Sequence, residues 1–412
     1  MKKLLLMFAA VGMLFTACNK ETDHNNDKHD HSADLVGTWT CITENYAEAL
    51  IINADGTAVS YGVEDGEYWE NVSGSVIVDG DNITMNFEDN DNLTGHFDII
   101  PNREFSLYED SGERYVYQYC ANDLADEIVG QWVCYDGPTN TERDMLVQTY
   151  QNDGYTIKTG WSDAVNDFIV NNKTTYKVVG DLIFYARPTE FIPEEMDKYV
   201  ACRIDYIPNG LSYGDKKTIT GYIPVGEDQV KVSGSWLRIK QSLDLTNKNY
   251  DYSNIYVTNV KGADKEFEFA GQTLNFSTLD GSVMDKLMKH ILFNVSFADN
   301  KIYYNCYFDG ENHSIDAPIV VEGNKVTIEM SKKNSVYRDI EVYMFQDQDN
   351  TQMHMYMPVK SFEKFFGNIT AVVLAKNNEL NLEDANAVAE HYAKIEAAIE
   401  TINVSFVFKA AK

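Results

Sequence analysis

One phrase of seven residues occurs twice: Leu35-Val36-Gly37-Thr38-Trp39-Thr40-Cys41 returns as Ile128-Val129-Gly130-Gln131-Trp132-Val133-Cys134. The shared spacing marks a duplicated unit, and each occurrence marks where a copy begins. In an extended strand alternate residues share a face, so glycine, tryptophan and cysteine of each phrase point the same way. A chain of 412 residues is too long for one ordinary core. The repeat divides it into a first unit at 35–122, a second at 127–245 and a remainder at 253–412.

Within each copy, short runs rich in Val, Ile, Thr and Tyr alternate with turn residues, the pattern of antiparallel strands. Ala49 to Asn53 and Ala58 to Tyr61 flank Asp55-Gly56, where glycine supplies positive φ at little cost. The second copy repeats the device at Asp153-Gly154, between Met145–Tyr150 and Tyr155–Thr159. About eight strands are expected in the first unit. The second unit is longer, so more room for a pocket is expected there.

The N-terminus reads as an export signal at 1–17: Lys2 and Lys3, an apolar run from Leu4 to Phe15, then small residues before Cys18. Leu14-Phe15-Thr16-Ala17-Cys18 resembles the lipobox of bacterial lipoproteins, which implies acylation of Cys18. Two or more acyl chains hold a protein on a membrane almost permanently, since each buried methylene contributes about 0.8 kcal/mol. Residues 18–34 then form the lipidated cysteine and a polar tether. Its His24, His29 and His31 are suited to Zn²⁺ or Cu²⁺, although a solvated spacer is the simpler reading.

The Gly37-x-Trp39 opening, the Asp55-Gly56 hairpin and the meander after it are similar to the lipocalin-like lipoproteins of Bacteroidetes, within the calycin group. The resemblance implies a mainly β fold: tandem small antiparallel lipocalin-like β-barrels plus a C-terminal β-rich, calycin-like domain with one long helix. It also implies that Gly37, Trp39, Gly130 and Trp132 serve structural barrel closure, and it offers Arg238 as an arginine packed over Trp132, an exposed strand arginine being the simpler reading. An outer-membrane location, facing the periplasm or the cell surface, follows from the same likeness.

The remainder lacks the opening phrase. Ser282 to Phe293 fits one helical face, and Leu382 to Ile402, capped by Asn381, carries an apolar stripe at Ala385, Val388, Tyr392, Ile395, Ile399 and Ile402. Met353, Met355 and Met357 alternate along one strand. Thioethers so placed suit Cu⁺, but adaptable core packing is the simpler reading.

Export permits disulfides, and Cys41 with Cys120 and Cys134 with Cys202 are the candidate pairs; the alternative is that each is a small buried hydrophobe. Trp161, Tyr176, Phe184, Tyr185 and Trp236 are either cavity lining or core. The acidic turns at 79–82 and 88–92 do not follow the calcium-loop pattern. Serine-hydrolase, zincin, phosphate-loop, dinucleotide and paired Cys-x-x-Cys motifs are all missing, so no catalytic residue, metal or cofactor is expected. The formal charge of -30 opposes nucleic-acid binding and favours cations or neutral ligands. The expectation is a non-catalytic, membrane-anchored envelope lipoprotein that binds a small ligand or a protein partner. The alternative is a structural or interaction module of an outer-membrane assembly, or an enzyme inhibitor.

Overall fold

The computed structural model describes residues 31–411 except 89–91, 137–145, 163, 187–198, 208–215, 226–227, 262–265, 270–271, 276–284, 286–288, 290–291 and 309–310. Cys18, most of the tether with His24 and His29, and most of the helix expected over 282–293 lie outside the described residues.

The first copy closes on itself as eight antiparallel strands in sequence order: β1 (Gly37–Ile42), β2 (Tyr46–Ile52), β3 (Thr57–Glu64), β4 (Glu67–Asp79), β5 (Asn82–Phe87), β6 (Asn92–Ile100), β7 (Glu104–Glu109) and β8 (Arg114–Cys120). Short connections keep neighbours adjacent. Asp65 and Gly66, at φ 48° and 86°, match the strand twist in the β3–β4 hairpin. Gly56 at φ 81° turns the β2–β3 hairpin, with the Thr57 amide donating to Asp55 Oδ1 at 3.0 Å.

The second copy repeats the plan with β9 (Gly130–Asp136), β10 (Leu146–Tyr150), β11 (Tyr155–Ser162), β12 (Asp167–Val179), β13 (Leu182–Ala186), β14 (Tyr199–Ile207), β15 (Lys216–Val225) and β16 (Asp228–Ile239), the last pairing back onto β9. Gly154 at φ 80° does for this copy what Gly56 does for the first.

The third unit is also a ring of eight. Its strands are β17 (Asn249–Lys261), β20 (Leu292–Ala298), β21 (Lys301–Phe308), β22 (Glu311–Glu322), β23 (Lys325–Ile328), β24 (Ile340–Gln346), β25 (Gln352–Met357) and β26 (Thr401–Ala410). The small hairpin β18 (Glu266–Phe269) and β19 (Gln272–Asn275) stands apart from it. The ring starts at Asn249 rather than at Ser253. The polar stretch before Ser253 is strand because Tyr250 turns inward, fully buried, while Asn249 and Asp251 accept from Asn294 Nδ2 at 2.6 and 3.1 Å.

Two α-helices are described, α1 (Val359–Lys376) and α2 (Ala385–Ala398), where the sequence suggests one long helix near the C-terminus. α2 is shorter than expected. Asp384 caps it by accepting from the Asn386 and Ala387 amides, and the β-branched run Thr401, Ile402 and Val404 leaves it for β26. Met353, Met355 and Met357 are buried inside the third ring with Val404, Phe406 and Phe408, which is packing, not a copper site. No group of three or more His, Cys, Asp and Glu side chains placed to hold a metal ion occurs among the described residues.

The barrels pack through the outer faces of their walls. Ala47, Ala49 and Val63 of the first meet Val179, Leu182, Phe184 and Ala201 of the second. Arg203 donates across this seam to the Thr40 carbonyl at 3.1 Å. Val133, Val147, Trp161 and Leu237 of the second barrel meet Tyr343, Phe345 and Tyr356 of the third, where the Tyr343 hydroxyl donates to Asp167 Oδ1 at 3.0 Å. Trp161 and Phe184 are therefore seam residues, while Tyr176, Tyr185 and Trp236 belong to the second barrel's interior.

The candidate disulfides are not formed: none of Cys41, Cys120, Cys134 and Cys202 is bridged to another. Cys41 lies inside the first barrel, whereas Cys120 pairs with Thr38, one residue out of phase with the inward Trp39. The two sulfurs thus leave opposite faces of the wall. Cys134 and Cys202 both point inward, but β15 and β16 separate their strands. At about 4.8 Å per strand their backbones stand beyond the span of a disulfide.

Candidate functional site

The repeated phrase builds one closed end in each copy. Trp39 is fully buried and its indole donates to the Leu35 carbonyl at 2.6 Å; Trp132, equally buried, donates to the Ile128 carbonyl at 2.8 Å. Gly37 and Gly130 have φ of 141° and 134°, which only glycine adopts readily. A Cβ on Gly37 would also stand 2.6 Å from the Tyr119 ring. The residue facing each tryptophan on the last strand differs. It is Tyr119 in the first barrel, edge-on to Trp39 at 5.1 Å, and Arg238 in the second, with its guanidinium 5.6 Å from the Trp132 ring centre. Arg238 also donates to the Val129 carbonyl at 2.6 Å, so it does lie over Trp132.

Above the Trp39 plug the first barrel is hollow. Trp39 packs edge-on against Phe105 at 5.0 Å, and Phe105 stacks on Tyr117 at 4.6 Å. Beyond this floor lies a cavity of about 520 Å³, lined by Tyr46, Glu48, Ser60, Trp69, Tyr115 and Tyr117 among others. It opens between the ends of β3 and β7 and the start of β6, where Glu64, Glu109 and Asp110 stand. This cavity is in the first copy.

At its centre is Glu48. Strand alternation places it on the inward side with Leu50 and Ile52, opposite Cys41 across the β1–β2 pair. It is only 6% exposed. One carboxylate oxygen accepts from the Ser60 hydroxyl at 2.5 Å; the other accepts from the Tyr46 hydroxyl at 2.6 Å and from the Tyr117 hydroxyl. Ser60 in turn accepts from the Trp69 indole at 2.9 Å. Trp69 lies across Gly62, where a Cβ would come within 2.1 Å of its ring. No Lys, Arg or His lines the cavity, and none pairs with Glu48 among the described residues.

Burial first, and then the Glu48 charge, pushes the Tyr46 and Tyr117 hydroxyls well above the ordinary tyrosine range. The same two causes push the Cys41 thiol up to about 12. At neutral pH all three stay protonated, so the hydroxyls act as fixed donors and the thiol is not a nucleophile. Tyr46, Trp69 and Tyr115 form the walls, with ring centres 6.1 Å apart for Tyr46–Trp69 and 5.0 Å for Tyr46–Tyr115.

The second copy does not repeat this site. Where Glu48 faces Cys41, Leu146 faces Cys134, and Trp236 occupies the last-strand position opposite the same cysteine. Leu146 and Trp236 fill the corresponding layer with apolar side chains. The copies share their closed ends and differ at the layer where Glu48 stands in the first and Leu146 in the second.

No protein family and no curated protein matches the chain. Among solved structures it is similar, at 9% identity, to the β subunit of DNA polymerase III from Thermotoga maritima, over 78% of this chain and 87% of that one. The TM-score is 0.14, too low to indicate a common fold. The closed antiparallel barrels are compatible with a calycin-like plan.

Proposed function

We propose that this chain is a non-catalytic, lipid-anchored envelope protein of the lipocalin-like kind found in Bacteroidetes, and that its first barrel holds a small molecule in its open end. The observation that carries the reading is the cavity of about 520 Å³ above the Trp39 plug, a size in the range of small-molecule sites. The Gly-x-Trp opening on the first strand of an eight-stranded closed meander supports the lipocalin-like reading. The charged, apolar and small-residue order of 1–17 before Cys18 supports anchorage at the outer membrane. With Cys41, Tyr46 and Tyr117 all held protonated, the site offers dipoles and carboxylates rather than an activated thiol or phenol nucleophile.

Mass spectrometry of the protein purified from its own cells tests this. A stoichiometric small molecule is expected with the natural chain and not with Leu93→Trp, which fills the cavity. A natural chain that carries no small molecule would overturn the reading. Cys18→Ser is expected to release the protein from membranes; retention there would contradict the anchor.

A further inference from the structure

We infer that the occupant of the first barrel is an organic cation: an ammonium head on an apolar or aromatic body. This rests on the reading of the cavity as a small-molecule site and specifies its chemistry. Glu48 is a carboxylate inside a barrel wall, satisfied by three hydroxyl donors but not neutralised by any basic side chain among the described residues. Hydroxyl donors solvate a buried charge without cancelling it, and a ligand that brings the opposite charge recovers what burial costs. A neutral occupant would leave that charge uncompensated, and an anionic one would add repulsion.

The walls and rim point the same way. Tyr46, Trp69 and Tyr115 turn aromatic rings toward one space, and ring faces attract ammonium groups, tryptophan most strongly. Glu64, Glu109 and Asp110 at the opening carry negative charge, with no lysine, arginine or histidine in the lining to offset it. The whole chain, at -30, adds a long-range field of the same sign. A bare metal ion fits poorly: the space is far larger than one ion needs, and both Glu48 oxygens already hold hydroxyl donors. In the second barrel Leu146 stands where Glu48 stands in the first, so that position offers no carboxylate there.

The test is calorimetric titration of the full-length, detergent-solubilised protein with three probes of like shape: benzyltrimethylammonium, its uncharged isostere neopentylbenzene, and phenylacetate. The ammonium is expected to bind about tenfold more tightly than the hydrocarbon, and phenylacetate not at all. Glu48→Gln should weaken the ammonium about tenfold and leave the hydrocarbon unchanged. A rim variant, Glu109→Gln with Asp110→Asn, spares the buried network and carries the test if Glu48→Gln fails to fold. It should weaken the ammonium severalfold and flatten the salt dependence of binding. Equal affinity for ammonium and hydrocarbon, unmoved by these variants, would overturn the cation inference and leave the cavity reading standing. Failure of all three probes to bind would overturn both.

Discussion

Trp132→Phe measures what the repeated phrase contributes. The indole is fully buried, and its N–H is the donor to the Ile128 carbonyl at 2.8 Å. Phenylalanine keeps a ring face for Arg238 but removes that donor and leaves a void. Leaving a buried carbonyl without its partner costs about 1–3 kcal/mol. The lost volume, at about 24 cal/mol per Å³, adds roughly 1 kcal/mol. The sum is about 2–4 kcal/mol. Three packed barrels need not unfold as one step, so global denaturation would blur the effect. Amide hydrogen exchange resolved by peptide assigns it to a barrel. The slowest amides of β9, β10 and β16 should lose about 2–4 kcal/mol of protection, and those of β5 and β6, remote from the seam, should hold theirs. A loss below about 0.5 kcal/mol, the size of an ordinary surface substitution, would refute the closure argument.

Three further outcomes follow from the same geometry. Alkylation of the protein unfolded without reductant should label Cys41, Cys120, Cys134 and Cys202 alike, and a linked peptide joining any two would contradict the wall-face argument. Lys333 and Lys301, donating to Asp316, hold its carboxyl down at about 2. A depressed folded value adds stability that is present above the unfolded value near 4 and is lost as pH falls toward 2. An NMR titration should show the Asp316 midpoint rising when both lysines become alanine, and an unmoved midpoint would remove the pairing from the account. Arg203→Ala takes a guanidinium from between the Thr40 carbonyl and Asp181, which stand 3.1 and 3.4 Å from it. It should weaken the first seam by about 2 kcal/mol and speed proteolysis between Asn122 and Glu127. Cleavage at the natural rate would mean that the other contacts of the seam hold the two barrels together without Arg203.

Much of the architecture was legible because it rests on residues with few substitutes. Gly37, Gly56, Gly130 and Gly154 sit at positive φ, where other residues are strained, so their spacing transmits directly into strand starts and hairpins. Wall alternation was less readable. Ala47, Ala49, Phe184 and Trp161 face outward yet are buried, because each wall packs on the next barrel. A strand apolar on both faces does not declare its inner side, which is why Trp161 and Phe184 pass as cavity candidates.

α1 was not read from the sequence, although Val359, Phe362, Phe365 and Phe366 follow Pro358 at helical spacing and carry the signal for it. Glu48 was also missed, although it left a trace. It is a charge on the inward face shared by Tyr46, Leu50 and Ile52, and such a charge is the kind of buried polar residue that carries information. Of its partners Tyr46 is local, two residues away on the same strand, while Ser60 and Tyr117 come from β3 and β8, and the approach of Tyr117 is set by the closed barrel rather than by local sequence.

The central claim is that the open end of the first barrel is the binding site and that its ligand is cationic. An experimental density map of the protein isolated from its own cells tests it most directly. An organic molecule is expected above the Phe105–Tyr117 floor, its ammonium head beside Glu48 and within about 6 Å of the Trp69 ring centre. A cavity holding only water, or a ligand seated in another barrel, would contradict it.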